Sequence, residues 1–184
     1  MAKFYDSITS RLQSFIEAQK IFFVATAPKN GRINLSPKGM DSFRILNSNR
    51  VLWLNVTGSG NETAAHLLEN NRITLMFCSF EGAPNILRLY GKGKEIKPKD
   101  PNWNEVIGLF TETPGTRQIF DIQIESAQTS CGMSIPFYEY QGEREELNNW
   151  ALEKGEDGIQ QYWKDKNQTS IDGLATHLLD TNES

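Results

Sequence analysis

The chain has 184 residues, 38% of them hydrophobic and 23% charged, with a formal net charge of −4. This composition suits a soluble globular protein large enough for a real core. No run rich in lysine or arginine is available to neutralise phosphates, which excludes a nucleic-acid surface, and no apolar run approaches the roughly 20 residues of a membrane span.

The first 20 residues have no signal-peptide layout, so a cytoplasmic protein is expected, with no membrane association. Phe4, Ile8, Leu12, Phe15 and Ile16 recur at helical spacing and predict an amphipathic opening helix. "IFFVATAP" is rich in β-formers and predicts a strand. Asn30-Gly31 is a turn signal, and "RINLSPKG" follows as the second arm of a hairpin. Pro37 cannot sit in a central ladder, so that arm ends or lies at an edge. "SFRILN" and "RVLWLNV" predict a second hairpin across Ser48 and Asn49. A helix then runs through Asn70-Asn71; His66 lies on it and is expected to pack or face solvent. "RITLMFCSF" and "ILRLYGKGKEI" are two further strands, the second with Gly91 and Gly93 inside it, which suggests a bend or bulge. "PNWNEVIGLF" predicts a short helix. "RQIFDIQIESAQTS" alternates, with Phe120, Ile122 and Ile124 on one face and polar residues on the other. The polar remainder is helical, with Gly155 and Gly158 as breaks.

Two cysteines, Cys78 and Cys131, lie outside any CxxC pattern and are expected as small buried apolar residues, not metal ligands. At least six strands, mostly joined by hairpins, predict a mainly β fold with flanking helices: an antiparallel barrel or closed sheet. A doubly wound parallel fold lacks its alternating strands and helices. The chain reads as a single domain over 1–184, with a barrel and its opening helix over 1–130 and a helical extension over 131–184.

One stretch points to chemistry. "TGSGNET" joins a strand to a helix. Ser59-x-x-Glu62 fits a capping box, which would make the motif a plain helix start. That reading does not account for Gly58 with Gly60, nor for Thr57 and Asn61. Gly60 near a helix start exposes backbone N–H groups, and a helix N-terminus suits an anion. Thr57, Ser59, Asn61 and Thr63 add polar groups; the Glu62 carboxylate opposes an anion unless it points away. No lysine follows the glycines, so this is not a P-loop. Upstream, Ser36-Pro37-Lys38-Gly39 closes a strand, and hairpin connectivity can bring Lys38 to the same place. Together the clusters describe a two-part phosphate site.

These residues, in this order, resemble the pyridoxamine 5′-phosphate oxidase-like family, the FMN-binding split barrels. The likeness covers Ile21 to Glu95: a strand ending in a lysine, a hairpin to an aromatic-containing strand, a Ser/Thr-rich turn into a helix, "NNRITLMF", then "LRLYGKG". The closing "SIDGL" is similar to that of one uncharacterised branch. The resemblance implies an antiparallel FMN-binding split β-barrel. It assigns FMN phosphate to Lys38, with Ser36 beside it, and to Thr57, Ser59, Gly60, Asn61 and Thr63; Arg88 matches an arginine on the next strand. It also implies a homodimer. Vitamin B6 oxidases carry Arg-x-Val-Leu-Leu-Lys, Arg-Gln-Val-Arg and a late Arg-Leu-x-x-Arg. Here those positions hold "RINLSPK", "NILR" and nothing comparable. Oxidation of pyridoxamine phosphate is therefore not expected. The implied function is an FMN-dependent oxidoreductase acting on a small-molecule substrate or electron donor. The alternatives are a non-catalytic flavin-binding or sensor module and a barrel with no ligand. No catalytic residue is assigned.

Overall fold

The computed structural model describes residues 2–180. Met1 and the last four residues of the expected extension, 181–184, lie outside the described residues. Strand β1 (Lys3–Tyr5) precedes helix α1 (Ser10–Ala18). The predicted opening helix therefore starts later than the periodicity suggests. Thr9 stops it: its backbone is extended and its hydroxyl accepts from the Leu12 N–H at 3.4 Å, as an N-cap does. Phe4 instead sits in β1. Leu12 and Ile16 form the buried face of α1, and Ile8 enters the core ahead of the cap.

The hairpins form as their turn signals indicate. β2 (Phe22–Thr26) pairs with β3 (Asn34–Lys38), and β4 (Phe43–Asn47) pairs with β5 (Arg50–Val56). Helix α2 (Glu62–Glu69) leads to β6 (Arg72–Cys78) and β7 (Asn85–Ile96). Helix α3 (Trp103–Ile107), β8 (Thr116–Cys131) and α4 (Glu146–Lys166) complete the order. The register shifts between Tyr90 and Gly91, so the predicted bulge is present. Only glycine fits there, because a Cβ on Gly91 would lie 2.3 Å from the Gln123 carbonyl oxygen.

The strands form one antiparallel sheet in the order β3-β2-β6-β7-β8-β5-β4, with β1 on the free end of β8. β3, which carries Pro37, is an edge strand as expected. The two ends, β3 and β4, do not pair, so the sheet is not closed by hydrogen bonds. Side chains close it instead. Phe22 of β2 packs on Phe43 of β4 at 5.2 Å and edge-on to Trp53 of β5 at 6.4 Å. The result is a split antiparallel barrel.

Its interior holds Val24, Trp53, Leu75, Phe77, Leu89, Phe120 and Ile122. A second cluster lies on the outer face, where Val106 and Phe110 cover Leu52, Leu54, Ile96 and Ile119. β8 is therefore buried on both faces at its start. Its alternation is hidden because Arg117, Gln118 and Asp121 are buried too. In α4, Gly155 breaks helical geometry with φ 65°, whereas Gly158 stays within the helix. Cys78 is buried as expected; Cys131 is exposed at the end of β8. No helix among the described residues is long and apolar enough to cross a membrane.

Candidate functional site

Edge strand β3, strand β5, the turn into α2 and the carboxy-terminal segment line a cavity of about 680 Å³. Each wall follows from local sequence. β3 contributes Ser36 and Lys38, at positions i and i+2 on one face of the edge strand. The Lys38 ammonium lies over the Trp53 ring, 5.1 Å from its centroid. The turn 58–61 and the first residues of α2 form a second wall.

The expected capping box does not form. Asn61, not Ser59, is the N-cap residue, and its side chain makes no capping hydrogen bond. Its Oδ1 instead accepts from Gln118 Nε2 at 2.7 Å. Glu62 turns to the carboxy-terminal segment, where both carboxylate oxygens accept from the Ile171 N–H, at 3.1 and 3.2 Å. Ser59 is left exposed in the cavity wall. The helix start is thus open to a ligand, with no side chain of its own covering it.

Behind the turn lies Arg117, 3% exposed. Asn55 pairs with Gln118 while Val56 pairs with Thr116, so Arg117 is the extra residue of a bulge in β8. Bulges re-aim side chains, and here two consecutive residues reach the same turn. Gln118 holds Asn61, and Arg117 Nη1 donates to the Gly60 carbonyl at 3.1 Å and to Asn167 Oδ1 at 2.6 Å. Arg117 Nε and Asn61 Nδ2 are buried donors with no protein partner.

Positive charge predominates in the lining, with Glu62 as the opposing carboxylate. Neither Lys38 nor Arg117 has a salt-bridge partner among the described residues. Burial, reinforced by the charge of Arg117, lowers the Lys38 pKa to about 8. Burial likewise lowers that of Arg117 to about 10, against the opposing pull of Glu95. Glu95 is itself pushed up to about 7 by burial, so at neutral pH it only partly offsets the guanidinium. Two desolvated cations and unpaired donors around one cavity are costly unless an anion completes them.

His66 is 1% exposed, so it packs, as one of its two expected placements had it, and it borders the cavity. Its Nδ1 shares a hydrogen bond with Thr26 Oγ1 at 3.1 Å, and its Nε2 lies 3.9 Å from Glu62.

The pyridoxamine 5′-phosphate oxidase family model matches residues 8–131. The chain belongs to that family. It is 34% identical over 194 residues to the pyridoxamine 5′-phosphate oxidase family protein ustO of Aspergillus flavus, a match covering 95% of this chain and 77% of that protein. Two solved structures share the family fold. One is a putative pyridoxamine 5′-phosphate oxidase from Lactobacillus delbrueckii, with TM-score 0.54 and 17% identity, over 67% of this chain and 94% of that one. The other is HutZ, the heme storage protein from Vibrio cholerae, with TM-score 0.50 and 17% identity, over 68% and 97% of the two chains.

Within this family member, six of the residues singled out in the sequence meet at the cavity: Ser36, Lys38, Ser59, Gly60, Asn61 and Thr63. Two do not. The Thr57 hydroxyl donates to the Gly115 carbonyl at 2.8 Å and accepts from Trp163 Nε1 at 2.8 Å, so it braces the turn from behind. Arg88 lies elsewhere on β7 and donates to Ser130 Oγ at 3.0 Å. Arg117 and Asn167 were not among the residues singled out in the sequence.

Proposed function

We propose that the cavity binds FMN, with its phosphate between Lys38, Arg117 and the turn 58–61, and that the protein is a cytoplasmic FMN-dependent oxidoreductase. The observation that carries this reading is a buried guanidinium and a half-buried ammonium, neither with a salt-bridge partner among the described residues, beside an uncapped helix start. The groups present fit a phosphate monoester: two cations, the Asn61 amide N–H, the Ser59 hydroxyl and the backbone of a glycine turn. FMN supplies the hydride or electron chemistry when bound. This chain's part is to neutralise the phosphate, to orient the ligand along β3 and to exclude water with the carboxy-terminal segment. A small-molecule substrate or electron donor completes the reaction. The absorption spectrum of the purified protein tests the cofactor. Flavin bands support it; a heme band in their place, as the likeness to a heme storage protein allows, overturns it. Reduction by a nicotinamide donor with turnover on an acceptor separates an enzyme from a flavin carrier.

The turn has its own test. Ser59→Gly should weaken FMN binding, by about 1 kcal/mol for a lost hydrogen bond, and leave apo stability unchanged because Ser59 caps nothing. Glu62→Gln should leave FMN affinity equal or tighter, since it removes a carboxylate from the cavity wall. Titration calorimetry and thermal melts of both variants check this. Weaker FMN binding by Glu62→Gln would make the carboxylate a ligand contact.

A homodimer is part of the same reading. Ile33, Leu35 and Ile171 border the cavity yet are 76%, 62% and 69% exposed. A second copy over this apolar rim would cover a flavin ring, and two-fold pairing is the commonest assembly. Sedimentation at micromolar concentration should give a dimer; a monomer retaining FMN contradicts it.

A further inference from the structure

The carboxy-terminal segment is joined to the cavity at three places. Asn167, the C-cap residue of α4, meets Arg117 and the glycine turn. Ile171 donates its N–H to Glu62 at the start of α2. Asp172 accepts from the Arg32 backbone N–H at 2.6 Å and pairs with its guanidinium, bridging to the β2–β3 loop. Residues 169–175 form a tight hairpin that carries the last two joints, with Thr169 bridging Ala175 and Ser170 N–H donating to the Leu174 carbonyl at 2.8 Å. Gly31 marks how closely it packs: a Cβ there would lie 2.6 Å from Asp172 Oδ2.

Asn167 is the joint with chemical consequence. It is fully buried. Its Oδ1 accepts from Arg117 Nη1 at 2.6 Å, and its Nδ2 donates to the Gly58 carbonyl at 3.1 Å. Only an amide satisfies both neighbours, one a donor and the other an acceptor. Its own backbone is locked as well: the N–H donates to the Trp163 carbonyl, and the carbonyl accepts from Thr176 Oγ1 at 2.6 Å. One side chain, anchored from both directions along the chain, therefore sets both the guanidinium and the glycine turn.

We propose that Asn167 is a positioning residue of the anion site: it aims Arg117 and fixes the turn 58–61, and so completes the site of its own chain without itself lining the cavity. This rests on the phosphate reading above. A carboxamide also holds a guanidinium without cancelling its charge, which leaves that charge available to an anion. A carboxylate in its place would pair with Arg117 and face the Gly58 carbonyl oxygen, which it would repel.

The test compares wild type, Asn167→Ala and Asn167→Asp, with FMN and riboflavin as probes. Asn167→Ala should weaken FMN binding about tenfold, the loss expected when a charged group loses one hydrogen bond, with riboflavin affinity little changed. Asn167→Asp should weaken FMN further, and its deficit relative to wild type at the same pH should shrink as the new carboxylate is protonated. Taking the ratio to wild type removes the titration of the phosphate itself. A residue that only supports the fold would instead lower the melting temperature and weaken both ligands together, with no pH-dependent recovery; that result overturns the proposal. If Asn167→Ala does not fold, the isosteric aspartate variant carries the same comparison, and unchanged FMN binding by it also overturns the proposal. Failure of wild type to prefer FMN over riboflavin would instead count against the phosphate reading itself.

Discussion

Arg117→Met is expected to lose most FMN affinity while leaving riboflavin affinity little changed. Arg117 is almost fully buried and faces the turn that lines the cavity. Truncating one member of a buried, hydrogen-bonded charge pair costs roughly 2–5 kcal/mol, or about thirty- to several thousandfold in affinity. Methionine keeps most of the apolar stem, so packing on β8 is largely retained. Apo-protein stability should fall less than FMN affinity, because relief of guanidinium desolvation partly offsets the lost bonds to Gly60 and Asn167. Calorimetry with both ligands and a melt of the apo form make the comparison. An equal loss for FMN and riboflavin would place Arg117 in the fold's support alone, and an unchanged FMN affinity would remove it from the site.

The second large effect is a pH dependence set by Lys38. Its pKa in the free protein is lowered to about 8, first by burial and then by repulsion from Arg117. The protonated form is the one that binds phosphate. A bound dianion favours that form and raises the pKa, so above about pH 8 binding must be accompanied by proton uptake. FMN affinity should then fall by up to about tenfold per pH unit until the raised pKa is reached. The phosphate monoester is already a dianion across this range, its second pKa being about 6, so the slope belongs to the protein. Riboflavin should show no such slope. Lys38→Met should abolish it and weaken FMN by about 1.5–3 kcal/mol at neutral pH. Arg117→Met should shift the slope to higher pH, since it removes the repulsion that lowers the Lys38 pKa. A slope that persists in Lys38→Met would assign it to another group.

Much of the fold is legible in the sequence because its signals are local. The strands carry β-branched and aromatic residues, Asn30-Gly31 and Ser48-Asn49 lie in the hairpin loops, and Pro37 forces β3 to an edge. Gly91 announces a bulge that only a residue without a Cβ can occupy. The opening helix fails at Phe4 because periodicity cannot see that Thr9 caps it and that Phe4 has a pairing partner on β8. Of the site, the two local clusters are readable, since a glycine-rich helix start and a lysine after a strand are both sequence patterns. Arg117 is not, because it owes its direction to a bulge defined by pairing with β5. In a strictly alternating strand, Arg117 and Gln118 would point to opposite faces. Asn167 is hidden for a further reason: its partners are 50 and 109 residues away in the chain. Thr57 belongs to the same motif as Ser59, yet the Trp163 indole claims its hydroxyl. No local pattern could separate the two threonine and serine roles.

The central claim is that this cavity recognises a phosphate on a flavin. Calorimetric titration of the apo protein with FMN and with riboflavin, at pH 7 in the same buffer, tests it most directly. The account predicts one FMN per chain and a preference over riboflavin of about a hundredfold or more, since two charged contacts of roughly 1.5 kcal/mol or more each serve the phosphate alone. Equal affinity for the two ligands, or binding of neither, would contradict it.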